Sequence, residues 1–217
     1  PAADLRPQEA AKLLVQIRGK PTKVRARSLA LAAIREAFEE AGLLIGARAS
    51  GKGKGPANWQ GFIARDIVPT LERLTFFARA ITPPGRPRRF DTRFYVLSAP
   101  VGQSGRHDEH ETTSSFWANP TQILVAWQND EIFLAPPTAR TVALLSRAQN
   151  VEDARAIARR QPLDPICPFF AMDGDTAVLA LPGDPLYPEP APAPSDPDAP
   201  TRFVLEQGRF VPQRAGG

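Results

Sequence analysis

The stretch from Ser28 to Leu43 constrains the fold more than any other part of the chain. Leu31, Ile34, Phe38 and Ala41 recur at intervals of three and four, which is the spacing of one helix face. Gly42 follows them, where a left-handed C-cap belongs. At ~100° per residue, Glu36, Glu39 and Glu40 fall within an arc of ~100° on the opposite side. The segment is therefore a helix that must bury one face and that carries three carboxylates on the other. Carboxylates this close repel one another, and a hard divalent cation such as Mg²⁺, Mn²⁺ or Ca²⁺ would neutralise them. Ala32 and Ala33 leave room for a ligand beside the acidic arc, and Arg35 is placed to brace a carboxylate. On helix geometry alone, a solvated acidic face is the plainer alternative.

The remaining pattern predicts a mixed α and β chain. Helices are expected over Gln8–Ile17, Trp59–Leu74 with a break at Pro69, Pro120–Trp127, Thr138–Arg147 and Val151–Arg160. Strands are expected over Thr75–Ile81, Arg89–Ser98 and Thr112–Trp117. Phe169–Met172 and Thr176–Leu181 flank Asp173–Gly174–Asp175, a hairpin signal. A second hairpin is read from Arg202–Leu205 and Arg209–Val211 around Gln207–Gly208. Ala47–Ala57 and Val101–His110 read as loops. The stretch Pro182–Pro200 holds 8 of the 24 prolines and reads as an extended strap. A main domain over 1–188 is expected, with 189–217 as the strap and terminal hairpin.

Composition limits the function classes. Hydrophobic residues are 42% and charged residues 23% of the 217, which excludes a wholly disordered chain. The longest unbroken apolar run, Leu29–Ile34, falls far short of the ~20 residues that a bilayer requires, so no membrane span is expected. One cysteine excludes an intrachain disulfide and a cysteine-based zinc site, and fits a reducing compartment. Net charge is +4, but basic and acidic residues are interspersed and no basic–aromatic module occurs, so no nucleic-acid partner is expected. The His107–Asp108–Glu109–His110–Glu111 run lacks the spacing of a zinc-binding helix. The three tryptophans and Cys167 read as packing residues.

Arg35–Glu36–Ala37–Phe38–Glu39–Glu40–Ala41–Gly42–Leu43 resembles the second half of the Nudix box, R-E-U-x-E-E-x-G-U with U aliphatic, with Ala37 taken as U. Further motifs resemble the Nudix branch that includes the peroxisomal-type acyl-coenzyme A diphosphatases. They are Thr82–Pro83–Pro84, Arg89–Phe90–Asp91–Thr92–Arg93–Phe94, Glu111 ahead of Trp117, Asn119–Pro120, Pro136–Pro137–Thr138 and Leu181–Pro182–Gly183–Asp184–Pro185. The resemblance spans roughly Arg25 to Pro188. The first half of the box, G-x5-E, is absent at the standard spacing, where Pro21 and Arg27 stand instead. An insertion commonly separates the two halves in this branch. The glycine-rich half is accordingly expected upstream of Pro1, with Pro1–Asp4 as its tail.

The resemblance implies an α/β/α sandwich with a mixed sheet, α+β in class, to which the helices over Thr138–Arg160 and the C-terminal hairpins are additions. These additions would cover the substrate groove or form a homodimer contact. It also implies a hydrolase acting on a nucleoside diphosphate. Glu36, Glu39 and Glu40 would hold Mg²⁺ or Mn²⁺, and one carboxylate among Glu36, Glu39 and Glu111 would be the general base. After a Pro–Pro–Gly turn, Arg86, Arg88 and Arg89 are placed to clamp a phosphate such as the 3′-phosphate of coenzyme A. Arg93 is a further substrate-binding candidate. The expected reaction splits coenzyme A or acyl-coenzyme A into phosphopantetheine and adenosine 3′,5′-bisphosphate. Alternatives are another diphosphate, such as ADP-ribose or a nucleotide sugar, and a Nudix-fold module that binds without hydrolysis. The Ala215–Gly216–Gly217 ending carries no peroxisomal signal. A cytoplasmic location is expected.

Overall fold

A computed structural model describes residues 4–49, 55–105, 116–188 and 199–213. The chain divides into two compact units, Pro1–Phe76 with Tyr95–Trp117, and Phe77–Phe94 with Ala118–Gly217. The class is mixed α+β, as the sequence predicts.

In the first unit the main element is helix α2, Lys23–Ala41. It follows the short helix α1, Pro7–Leu13. The side chain of Thr22 accepts from the Arg25 N–H, which caps α2, and Gly42 ends it at φ 65°. The helix starts five residues before the periodicity predicts. The reason is that its buried line runs Ala26, Ala30, Ile34, and alanines flanked by Lys23, Arg25 and Arg27 give no apolar signal. The stretch after α2 corrects a second expectation. Instead of one helix over Trp59–Leu74 there is a 3₁₀ turn, Ala57–Trp59, a single helical turn α3, Gln60–Ile63, and a strand β2, Ile67–Pro69. Strand β2 pairs antiparallel with β1, Gly46–Arg48, whose last two residues fall in the stretch read as a loop. The expected helix fails at Asp66, whose φ of 52° is incompatible with its continuation.

The apolar face of α2 is held by rings. Phe38 meets Phe62 edge-on at 5.3 Å, and Trp59 meets Phe62 at 5.1 Å. Phe62 is 1% exposed, and burying such a ring contributes about 1.5–3 kcal/mol. Helix α1 is fixed by Glu9, a buried carboxylate that accepts from the Phe76 N–H at 2.8 Å and from Lys12 Nζ at 3.1 Å. Trp117 is exposed rather than packed, with its indole N–H donating to the Ser104 carbonyl.

Strands β3, Thr75–Ile81, and β4, Asp91–Val96, pair with each other. Besides residues 77–81 and 91–94 of these strands, the second unit holds α4, Pro120–Gln128, α5, Pro136–Leu145, and α6, Val151–Arg160. They are followed by β5, Phe169–Asp173, β6, Thr176–Ala180, β7, Arg202–Glu206, and β8, Arg209–Gln213. The two predicted hairpins form one antiparallel sheet in the order β5-β6-β7-β8, because β7 pairs with β6 through Val178↔Val204 and its neighbours. At the β7–β8 turn Gln207 and Gly208 both take positive φ, 49° and 85°, the tight turn that matches strand twist. Phe203 is fully buried beside Trp127, at 6.3 Å between ring centres. An isolated parallel bridge joins Ala80 of β3 to Ile166. Of the strand expected over Thr112–Trp117, residues 112–115 lie outside the described residues, and 116–117 are not strand. Cys167 is half-buried rather than buried.

A Cβ added at Gly61 would stand 2.1 Å from the Phe38 ring. Gly61→Ala should therefore lower stability by about 1–3 kcal/mol through overpacking. Chemical denaturation checks this, and paired substitution with Phe38→Leu should recover part of the loss.

Candidate active site

Helix α2 presents the three carboxylates as the sequence predicts. Glu36, Glu39 and Glu40 are exposed, while Ile34, on the opposite side, is fully buried. Arg35 sits between the two faces and bridges two of the three acids. Its guanidinium donates from Nη2 to Glu36 Oε1 and from Nη1 to Glu39 Oε2. The brace uses one oxygen of each carboxylate. The hydrogen bond to Glu39 raises the guanidinium pKa above its ordinary value; burial opposes this, and the charges of Glu36 and Glu39 add to it. Arg35 thus ties Glu36 and Glu39 together through one guanidinium.

Among the described residues, no three His, Cys, Asp or Glu side chains converge on a point that would hold a metal ion. The donor set nonetheless fits a divalent cation in kind: three carboxylates at i, i+3 and i+4, exposed on one face, with hard oxygen ligands. Arg27, at the position where a full box carries its first glutamate, instead pairs with Asp4. Glu111 and the His107–Glu111 run lie outside the described residues.

The arginines read as substrate ligands have different surroundings, all within the second unit. Arg89 folds back, its Nε donating to the Thr82 carbonyl at 2.9 Å. The Phe90 N–H donates to Thr82 Oγ1 at 3.0 Å, so Thr82 organises both. The Arg93 side chain is 8% exposed and engages Asp91, with Nη1 donating to the backbone carbonyl at 2.8 Å. Arg79, 4% exposed, grips the same Asp91 with Nε and Nη2 at 2.7 and 2.8 Å. Arg93 is therefore part of an Arg–Asp–Arg network. Arg86 and Arg88 are exposed. Of the arginines around this turn, Arg86 lines a cavity of about 460 Å³. That cavity was not legible in the sequence, because its wall is assembled from several distant segments.

Leu181–Pro182–Gly183–Asp184–Pro185 has a structural role that its sequence did not show. The Asp184 side chain is fully buried and is gripped by Arg202 through Nε at 2.9 Å and Nη2 at 3.1 Å. It also accepts from the Leu186 N–H at 2.8 Å. The motif locks the start of β7 to the turn after β6.

A family profile described as the NUDT19 Nudix domain matches residues 16–145, which includes α2 and α5 but not α6. The chain is 26% identical over 196 residues to the acyl-coenzyme A diphosphatase NUDT19 of Gallus gallus, covering 73% of this chain and 52% of that protein. It is 28% identical over 187 residues to the acyl-coenzyme A diphosphatase NUDT19 of Homo sapiens, covering 72% and 50%. The chain thus spans about half the length of these curated relatives. A crystal structure of a Nudix hydrolase from Alicyclobacillus acidocaldarius shares the fold, with a TM-score of 0.52 and 24% identity over 69% of this chain and 76% of that one.

The Asp91 network yields a pH prediction. Burial pushes the Asp91 carboxyl up, but the Arg79 hydrogen bond and the charges of Arg93 and Arg79 outweigh it and hold the group below its ordinary value. A depressed carboxyl adds stability above its unfolded pKa of about 3.9 and loses it as pH falls through the folded value. Asp91→Asn should cost about 1–3 kcal/mol at pH 7 by leaving buried Arg79 without its anion. The cost should shrink as pH falls below about 4. Urea unfolding of both proteins across pH 3–7 measures it.

Proposed function

We propose a function from the premise that this chain belongs to the NUDT19 Nudix domain family, whose profile matches 16–145: it hydrolyses the diphosphate of coenzyme A or acyl-coenzyme A. The observation that carries the proposal is the exposed Glu36, Glu39 and Glu40 face of α2 with Arg35 braced to two of its members. The substrate class follows from the similarity to proteins named acyl-coenzyme A diphosphatase.

The reaction is attack of water on one phosphorus and cleavage of the P–O–P bond. It releases phosphopantetheine, or its acyl form, and adenosine 3′,5′-bisphosphate. Both reactants resist approach because the diphosphate is strongly anionic. Glu36, Glu39 and Glu40 would hold Mg²⁺ or Mn²⁺, which when bound supplies the positive charge that offsets the diphosphate. Arg35 holds Glu36 and Glu39 in place, so less order must be created on binding. One carboxylate among Glu36, Glu39 and Glu111 takes the proton of the attacking water as its oxygen bonds to phosphorus. Arg86 and Arg88, exposed beside the turn after β3, are the arginines placed to meet a substrate phosphate. Arg89 and Arg93 contribute by shaping that turn. The C-terminal helices and hairpins are the surfaces assigned to substrate cover or homodimer contact.

The test is hydrolysis of coenzyme A by the full-length protein with Mg²⁺ or Mn²⁺, with products identified by mass. ADP-ribose and a nucleotide sugar run in parallel. The wild type should release adenosine 3′,5′-bisphosphate. The double variant Glu39→Gln, Glu40→Gln should lose about 10²-fold or more, the scale expected when charge-stabilising groups are removed. Turnover of ADP-ribose alone would retain the chemistry and reject coenzyme A. Binding without turnover of any diphosphate would reject the enzyme.

A further inference from the structure

The cavity in the second unit is not accounted for by the chemistry above. Its volume of about 460 Å³ lies within the ~300–1,000 Å³ of small-molecule sites. Its wall brings together Thr82–Pro83, the Phe90 and Phe94 of the next motif, and Pro136–Pro137–Thr138 at the start of α5. Three separate branch motifs therefore meet in one cavity. Leu179 and Phe210, from β6 and β8, add to the apolar wall. Two of the lining rings stand open to solvent: Phe133 is 81% exposed and Phe90 is 63% exposed. Large apolar rings left exposed around a concavity mark a surface that gains by being covered.

The polar content of the wall narrows the occupant. Among the described lining residues, Arg86 is the sole charged side chain, and none is Asp, Glu, Asn or Gln. A purine would need partners for its base edge. The threonines are the remaining polar side chains, and the Thr82 hydroxyl already accepts from the Phe90 N–H. A hydrocarbon chain needs no such partners. An apolar wall with a single cation, exposed Arg86, suits a molecule with an aliphatic body and an anionic remainder.

We propose that this cavity, walled by Phe90, Phe94, Phe133 and Phe210 with Arg86 as its one cation, seats the acyl chain of an acyl-coenzyme A thioester. The proposal rests on the diphosphatase reading for the identity of the thioester, but the cavity can be tested without hydrolysis. Exposed Phe133 is the wall residue that can be changed at least cost to folding.

The experiment has two arms on the full-length protein, each run with the wild type, Phe133→Asp and Phe133→Leu. In the first, kcat/KM is measured for coenzyme A and for its butanoyl, octanoyl and dodecanoyl thioesters. In the second, calorimetry measures binding of dodecanoyl-pantetheine, which carries the chain and no diphosphate. The wild type should favour longer chains, by up to about fourfold per methylene while the cavity fills. Phe133→Asp should flatten that dependence by about tenfold or more at dodecanoyl, and Phe133→Leu should restore most of it. Dodecanoyl-pantetheine should bind the wild type and lose affinity in Phe133→Asp. Hydrolysis of coenzyme A with no chain-length dependence, or with one unmoved by Phe133→Asp, would overturn the acyl site and leave the diphosphatase standing. Failure of all hydrolysis would remove the diphosphatase reading, and the calorimetry would still decide the cavity: Phe133-dependent binding supports an acyl site, and no binding overturns it.

Discussion

Burial of one face of α2 is the constraint on which the first unit depends. Ala26, Ala30 and Ile34 form a line of small and medium side chains that lets the helix approach its neighbours closely. Phe38 then meets Phe62 and the open face of Gly61, where no side chain fits. Once that face is committed inward, 3.6-residue periodicity leaves Glu36, Glu39 and Glu40 no position except outward. The acidic face is therefore a consequence of packing, and a slip of the helix about its axis would both bury charge and expose Ile34. Gly42 at positive φ stops the helix just after the third carboxylate.

A second theme is the use of arginine as an internal brace. Of 27 basic residues, 22 are arginine, a balance that invites a polyanion-binding reading. The structure places several of them on carboxylates of the chain itself: Arg35 on Glu36 and Glu39, Arg79 and Arg93 on Asp91, Arg202 on Asp184 and Asp173. The planar fork satisfies two acceptors in fixed geometry, which a lysine cannot do. Arg140 is different. It is 3% exposed, donates to the Pro182 carbonyl at 3.0 Å, and burial lowers its pKa to about 10. These five arginines are thus architectural.

How much was legible in the sequence follows from the range of the signal. Strand β3 and helix α6 were readable to the residue, because side-chain periodicity is a local signal. Both hairpins were readable from their Gly turns, yet their union into one sheet was not, since the β6–β7 pairing spans a proline-rich stretch with no periodic signal. The region after Trp59 misled because Phe62, Ile63, Ile67 and Val68 suit either period, and the positive φ of Asp66 has no local warning. In the site, the acidic face and the brace at Arg35 were legible from spacing alone. The inward ties of Arg89 and Arg93 were not, because they depend on how the turn after β3 returns to Asp91. The aromatic cavity was invisible, since its walls come from distant segments and carry no shared pattern.

Metal binding tests most sharply the proposal that the α2 carboxylate face holds the cation of a diphosphate hydrolase. Electron paramagnetic resonance would follow titration of Mn²⁺ into the full-length protein and into Glu36→Gln, Glu39→Gln, Glu40→Gln, with circular dichroism confirming that the helix persists. The account predicts that the wild type removes free Mn²⁺ signal saturably and that the triple variant, still folded, does not. Equal Mn²⁺ uptake by the two folded proteins would contradict it.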